Sequence, residues 1–554
     1  MPGDSVAGAE VRYRMGLLAI VLAGVVLRLA GLNWDEGRGL HPDEANLVRA
    51  ALTLLVDGRL IPEFHAYNDL ALWLPRLVSL PFCAIDDSVC LTLTARFVSA
   101  MMSVAAIPLA AGLARQLAGN MAGRPAGLAT AAVFATSASL VQWAHFGTTE
   151  SALVLWLLAL WRLAALWLAG RLTDGRMALW SGALLGLGFG LKTTAAVLAI
   201  VPLTALVLAG RPEARRLRTL AAAIALAAVM ALASTPSIWL APGDWLAVMR
   251  FENGVVSGAT PVFWTAQFRG VAHGWYDLGQ LWFATSGAGL LLAVVGVALL
   301  PRQGWRALAP ALVFAALYAL VAFGWQAKFF RYLAPLLPVV LVLAGLGIGR
   351  LASQPARQLP LSLGLAGLGL MAMAGLDQAA AYLRPDPRIT VEAALLARSD
   401  PADLVAVEPH DLAQTGTRTR LTLPLTDIGI GPEALSGPLA RAGWLVIASR
   451  RNWAVLPRQT DAPPVICAFY AGLAGGDLGF VPILRVRRDG PFGRVFAPSL
   501  SVEETRTVFD RPEVILFRNM DRLPEAELRL RLGAATPPQD CATKTLEQAW
   551  SRDR

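Results

Sequence analysis

The chain has 554 residues, of which 56% are apolar and 16% charged, against about 45–50% and about 25% in water-soluble domains. That excess excludes an ordinary soluble globular protein and calls for lipid as the solvent of much of the surface. The formal net charge of +9 is no sign of a nucleic-acid binder, because the arginines lie between apolar runs instead of clustering with aromatics on one face.

In chain order, the first apolar run spans Met15 to Leu32 behind Arg12 and Arg14. It reads as a retained first membrane helix, since no small-residue cleavage site leads into soluble sequence. Further runs fall at 92–114, 126–144, 151–170, 178–191, 195–210, 219–239, 281–300, 308–325, 332–349 and 360–379, most of them near the ~20 residues a bilayer needs. The expected architecture is therefore a polytopic α-helical membrane protein with about eleven transmembrane helices. The arginine-bearing turns at 12–14, 115–124, 171–176, 211–218, 302–306 and 350–357 fall on alternate loops, and the positive-inside rule assigns them all to the cytoplasmic side. A long apolar stretch from Leu179 to Gly210 obeys that parity only if it turns near Lys192. The opposite side receives the loops 33–91 and 240–280 and everything after 383, so chemistry is sought there. The first of these loops holds two amphipathic stretches, Glu44–Leu55 and Asp69–Leu80, suited to the interfacial plane.

Residues 384–554 read as soluble, with a helix near 388–398 and strands near 404–408, 445–448 and 514–517, hence a small α/β domain outside the membrane. It contains no nucleotide-binding fingerprint. Two cysteine pairs, Cys83/Cys90 and Cys467/Cys541, are compatible with disulfides if both regions face an oxidising compartment, the alternative being buried free thiols.

Candidate chemistry begins at Gly39-Leu40-His41-Pro42-Asp43-Glu44, two carboxylates at the outer membrane edge. They read either as first-turn acids that complement a helix dipole or as carboxylates whose partly dry setting suits them to accept a proton. Glu150, beside Thr148 and Thr149, has the same two readings. Lys192, Lys328 and Arg331 sit at outer ends of apolar segments, where they hold a lipid phosphate or snorkel to headgroups. His41 and His145 map to the same boundary, as does His65, with no metal-ligand spacing. The aromatic loop with Trp264, Trp275 and Tyr276 fits an interface belt or a sugar platform.

At the Asp43-Glu44 junction the sequence resembles the GT-C superfold of membrane glycosyltransferases, especially the protein O-mannosyltransferase and aminoarabinose transferase-like group. The resemblance continues through Leu93–Ala118 with Arg96, Val141–Leu155 (VQWAHFGTTESALVL) with Glu150, Gly186–Thr193 (GLGFGLKT) with Lys192, and Phe330–Pro338 (FRYLAPLLP) with Arg331 and Tyr332. It departs where the family commonly has Asp and this chain has Glu150.

The resemblance implies an enzyme of the cell envelope, in a bacterial inner membrane, that takes a polyprenyl-phosphate-linked sugar and passes it to the hydroxyl of a protein, lipid or glycan acceptor. Asp43, with Glu44 and Glu150, would be the catalytic carboxylates. Lys192, Lys328, Arg331, Tyr332, His41 and His145 would bind substrate and lipid phosphate. No metal ligand set is visible, and a divalent cation is left as a candidate cofactor. A flippase of lipid-linked sugars, or an inactive scaffold, is the competing expectation; a transporter should carry inverted repeats and broken helices with polar midplane sites.

Overall fold

A computed structural model describes residues 3–354, 358–410, 412–427, 429–448, 450–456, 463–490, 492–496 and 501–534; Cys541 lies outside them. The first half is built from α1 (Gly3–Leu29), α2 (Pro42–Thr53), α3 (Asp69–Ser79), α4 (Ser88–Thr136), α5 (Ala138–Ala144), α6 (Glu150–Leu168), α7 (Asp174–Leu191), α8 (Ile200–Leu208) and α9 (Glu213–Ser234). Each of the eleven apolar runs coincides with helix. Among the described residues five helices are long and apolar enough to cross a bilayer on their own, and seven if each bent pair counts as one span. The remaining runs are shorter or broken. The pair Trp275–Ala284 and Ala288–Ala298 bends by 99°, and Leu179–Gly210 breaks at Lys192, which sits in extended backbone between α7 and a 3-10 turn.

Local chemistry sets these breaks. The run 92–114 and the first part of 126–144 join into α4, with the rest of the second run bent by 54° into α5. The helical geometry of α4 fails at Gly119 (φ 73°), a conformation that costs glycine little. A side chain there would also meet Gln303. Asp87 caps α4 by accepting from the Cys90 amide, and Thr173 caps α7 by accepting from the Arg176 amide, which satisfies donors a helix start leaves open. α7 and α9 approach closely over small residues; a Cβ on Gly186 would lie 2.5 Å from the Ala227 carbonyl oxygen. Such packing substitutes for the hydrophobic drive that lipid does not supply.

The arginine turns share one end of the helical bundle. Arg115 and Arg124 both pair with Glu10, Arg211 pairs with Asp174, and Arg306 donates to the Leu208 carbonyl. At the other end, the last apolar helix Gln358–Tyr382 leads into a five-stranded sheet. Its strands are β1 (Leu404–Val407), β2 (Thr419–Thr422), β3 (Trp444–Ile447), β4 (Phe480–Val486) and β5 (Val514–Asn519), in the order β2-β1-β3-β5-β4. β1 runs parallel to β2 and β3, while β5 is antiparallel to both neighbours. One face buries Leu445, Ile447 and Phe517 under the helices Pro432–Arg441, Pro464–Gly475 and Glu525–Gly533; the other buries Val405, Val407 and Val446 with Val391 and Leu395 of the helix Pro387–Leu396. Cys83 and Cys90 form a disulfide with Cα atoms 5.7 Å apart, closing the loop between α3 and α4.

Candidate active site

The site begins where α1 ends. His41 is the N-cap of α2, its backbone extended and its Nδ1 accepting from the Glu44 amide at 3.3 Å, with Pro42 at the first helical position, where a missing N–H costs nothing. Successive helical residues point about 100° apart, so Asp43 and Glu44 diverge.

Glu44 turns inward. Its carboxylate accepts from Arg96 Nε (3.1 and 3.0 Å), Arg96 Nη2 (2.6 Å) and the Gly147 amide (2.6 Å), and it is fully buried. Arg96 also donates to Asp35 (2.9 Å) and to the Leu32 carbonyl (2.9 Å). Burial pushes the Glu44 carboxyl above the usual range against the pull of Arg96. Burial acts the same way on Asp35, but Arg96 and the Leu40 and Gly37 amides outweigh it and hold that carboxyl low. Glu44, expected beside Asp43 as a catalytic carboxylate, is instead a clamp that fixes the first loop to α4 and to the turn before Glu150.

Asp43 turns outward and pairs with Arg331, both about a third exposed. Arg331 is presented by the short turn Phe330–Leu333 and lies over the Phe329 ring. On the neighbouring wall Glu150, in the first turn of α6, pairs with Lys192 at 3.2 Å, and the Lys192 ammonium stands over the Tyr67 ring, 5.2 Å from its centre. His41, Asp43, Glu150 and Arg331 line one narrow cleft with Gln142, Trp143, Phe146, Thr148, Phe330, Thr505 and Phe509. Burial and the positive charges of Arg331 and Arg96 hold the His41 imidazole well below its ordinary pKa, so it faces the cleft neutral.

Two expected site residues, His145 and Lys328, stand elsewhere. His145 is fully buried, its two ring nitrogens 2.8 Å and 3.0 Å from the carbonyl oxygens of Val141 and Ala30 and its ring stacked on Tyr382. Lys328 is buried against Asp277 (3.0 Å) and the Phe323 carbonyl (2.5 Å). For Lys328 the reason is that a buried ammonium is tolerated only beside a counter-charge and acceptors, here Asp277 and the Phe323 carbonyl. Tyr332 bridges the two places. It lines the small cavity beside Lys328, while its ring lies 5.9 Å from the Arg331 guanidinium and it interacts with the charges of Arg331, Lys192 and Glu252, so it belongs to the neighbourhood of the site.

Several lining residues had no signal in the sequence. Thr505 and Phe509 come from the sheet domain, more than 350 positions after Glu150, and Gln142 and Trp143 lie within the family-like segment Val141–Leu155 with nothing to single them out. Glu252, half-buried on the helix Pro242–Ser257, has its carboxyl raised by burial and lowered by the charge of Lys192, which marks it as a third acid of this neighbourhood. Among the described residues no three His, Cys, Asp or Glu side chains gather as a metal site.

Residues 88–239 match the family model described as dolichyl-phosphate-mannose-protein mannosyltransferase. Among solved structures, the chain is similar to the archaeal oligosaccharyltransferase AglB from Archaeoglobus fulgidus, in complex with an inhibitory peptide and a dolichol-phosphate, with a TM-score of 0.52 and 12% identity over 83% of this chain and 72% of that one. It is similar also to ArnT from Cupriavidus metallidurans bound to undecaprenyl phosphate, with a TM-score of 0.51 and 15% identity over 92% of this chain and 98% of that one. No curated protein matches. An acid-lined cleft between a bundle of apolar helices and a small α/β domain thus stands on a known architecture: the chain is a polytopic membrane protein with the fold of the GT-C glycosyltransferases.

Proposed function

We propose that the chain is a glycosyltransferase that moves a sugar from a polyprenyl-phosphate donor to an acceptor hydroxyl at the outer face of the membrane, with inversion at the anomeric carbon. The observation that carries this reading is the pairing of two carboxylates, Asp43 and Glu150, with two cations, Arg331 and Lys192, around the cleft. Both similar structures were solved with a polyprenyl phosphate, and the disulfide between Cys83 and Cys90 suits an oxidising, extracytoplasmic side.

In this mechanism Arg331 and Lys192 receive the donor phosphate through charge-assisted hydrogen bonds, which releases their carboxylates. Asp43 then accepts the proton of the acceptor hydroxyl as that oxygen bonds to the anomeric carbon. The bond from that carbon to the phosphate oxygen breaks, and its electron pair leaves on the lipid phosphate, held by the two cations. Before the donor arrives Glu150 holds Lys192 in place, and Glu44 with Arg96 keeps Asp43 at the cleft wall. The test is transfer of radiolabelled sugar from a synthetic polyprenyl-phosphate sugar by the full-length protein in lipid nanodiscs. Asp43→Asn is expected to lower kcat by about 10²–10⁴-fold, the range of a lost general base. A variant as active as the wild type would remove Asp43 from the mechanism.

A further inference from the structure

The segment 501–511 of the sheet domain does not lie on the helical bundle as a passive cap. The Gln280 side-chain amide donates to the Ser501 carbonyl (3.0 Å) while its oxygen accepts from the Glu503 amide (2.9 Å). The Phe330 amide, one residue before Arg331, donates to the Glu503 carboxylate (2.9 Å). Arg506 donates to Ser139 Oγ (2.9 Å) and covers the Phe330 ring at 4.4 Å. Glu503, Arg506, Phe509 and Asp510 are all buried. So anchored, the segment supplies two residues of the cleft wall, Thr505 and Phe509.

Their chemistry is specific. The Thr505 hydroxyl donates to the Glu503 carboxylate, and the Thr505 amide donates to the same group at 3.1 Å. Its proton is therefore committed inward, and its remaining lone pair is the feature it can offer a ligand. Phe509 lies 4.3 Å from His41, which lies 4.4 Å from Phe146, and Trp143 lies 5.4 Å from Phe330 on the same wall. A hydrogen-bond acceptor beside a set of aromatic rings matches a sugar ring, which carries hydroxyl donors at its rim and C–H groups on its faces.

We infer that Thr505 and Phe509 form a sugar-recognition wall contributed by the sheet domain: Thr505 Oγ accepts from a ring hydroxyl, Phe509 packs on the ring face, and Glu503 acts as a positioning residue for both Thr505 and the Arg331 turn. The inference rests on the glycosyltransferase reading. The sugar is that of the donor lipid or that of a glycan acceptor, and the two sources separate experimentally.

The experiment uses the full-length protein in nanodiscs and measures binding of polyprenyl phosphate alone and of its mannose, glucose and arabinose esters, with Thr505→Val, Phe509→Leu and the conservative Thr505→Ser. Recognition of the donor sugar predicts that Thr505→Val weakens binding of the preferred ester about tenfold, leaves the bare carrier unchanged, and is restored by Thr505→Ser. Recognition of a glycan acceptor predicts unchanged lipid binding and a several-fold rise in acceptor KM with kcat kept, again restored by Ser. If Thr505→Val and Phe509→Leu alter neither the sugar esters nor the acceptor KM, or if Thr505→Ser is as damaged as Thr505→Val, the wall has no such role while the glycosyltransferase reading stands. If the wild type binds neither polyprenyl phosphate nor its esters, both fail together.

Discussion

Arg96 shows how little room a buried charge leaves for substitution. It is fully buried with Asp35 and Glu44 as counter-ions, and such a group is tolerated because every partner is present at once. Arg96→Leu strands two buried carboxylates, at a cost of about 3–5 kcal/mol by the usual penalty for breaking a buried pair. The expected outcome is a marked loss of monodisperse protein in detergent and a lower Tm; a variant that melts with the wild type would show that the triad is not what holds the first loop. His41 gives a pH-dependent counterpart. Burial first, then Arg331 and Arg96, depress its pKa in the folded state, whereas the unfolded chain takes up a proton near pH 6.5. Below that pH the unfolded state binds more protons than the folded one, so stability falls with pH until the folded histidine also titrates. His41→Asn keeps an N-cap acceptor and removes the titration. Its Tm is therefore expected to drop less than that of the wild type between pH 7.5 and 5.5, and parallel drops would count against a depressed His41.

The elements around the cleft are short, and their order depends on ties. α2 and α3 contribute Leu47, Val48, Ala51, Leu54 and Leu72 to a separate small core with Leu91, and the Cys83–Cys90 disulfide closes the connection from α3 into α4. In the chain-entropy account a cross-link of this loop length is worth roughly 2–3 kcal/mol. Replacing both cysteines by serine is thus expected to lower the Tm and to expose the first loop to protease while the helical bundle stays folded. Maleimide labelling supplies the control: no label at Cys83 or Cys90 before reduction, two after it. Equal protease sensitivity of the variant and the parent would mean that packing alone orders α2 and α3. Asp69 adds a second tie, accepting from the amide (2.8 Å) and hydroxyl (2.8 Å) of Ser237, which joins α3 to the end of α9.

At the scale of the whole molecule, hydropathy carried the helical architecture, because a bilayer imposes length on each apolar run, although among the described residues only five helices, or seven with the bent pairs, are long and apolar enough to span rather than the eleven expected. Asp43, Glu150, Lys192 and Arg331 were legible for the same reason, as charges at the ends of apolar segments. The burial of Glu44 and His145 was not, since their partners Arg96 and Ala30 lie 52 and 115 positions away. Nor were β2 and β4, which are the sheet's edges: β2 is largely exposed and β4 carries Pro482 and Arg485, so neither shows the apolar pattern of an inner strand. Least legible was the junction between the two halves, which tertiary contact alone creates. Its node is Asp510, fully buried, accepting from Gln142 Nε2 (3.1 Å), Gln378 Nε2 (2.9 Å) and the Tyr382 hydroxyl (2.5 Å). Arg488 reinforces it by donating to the Ala381 carbonyl (2.6 Å) and the Arg384 carbonyl (2.5 Å). Asp510→Ala leaves Gln142, Gln378 and Tyr382 without that acceptor, at about 1–3 kcal/mol for each buried group that finds no substitute. Because Asp510 follows Phe509 directly, the loss falls on the segment that walls the cleft. Two consequences are expected together: the sheet domain unfolds in a separate, earlier thermal transition, with new cleavage near 383–388, and transfer activity falls even though Asp43, Glu150, Lys192 and Arg331 are intact. A single cooperative transition at the wild-type Tm with full activity would mean that the sheet domain and the bundle are held together elsewhere.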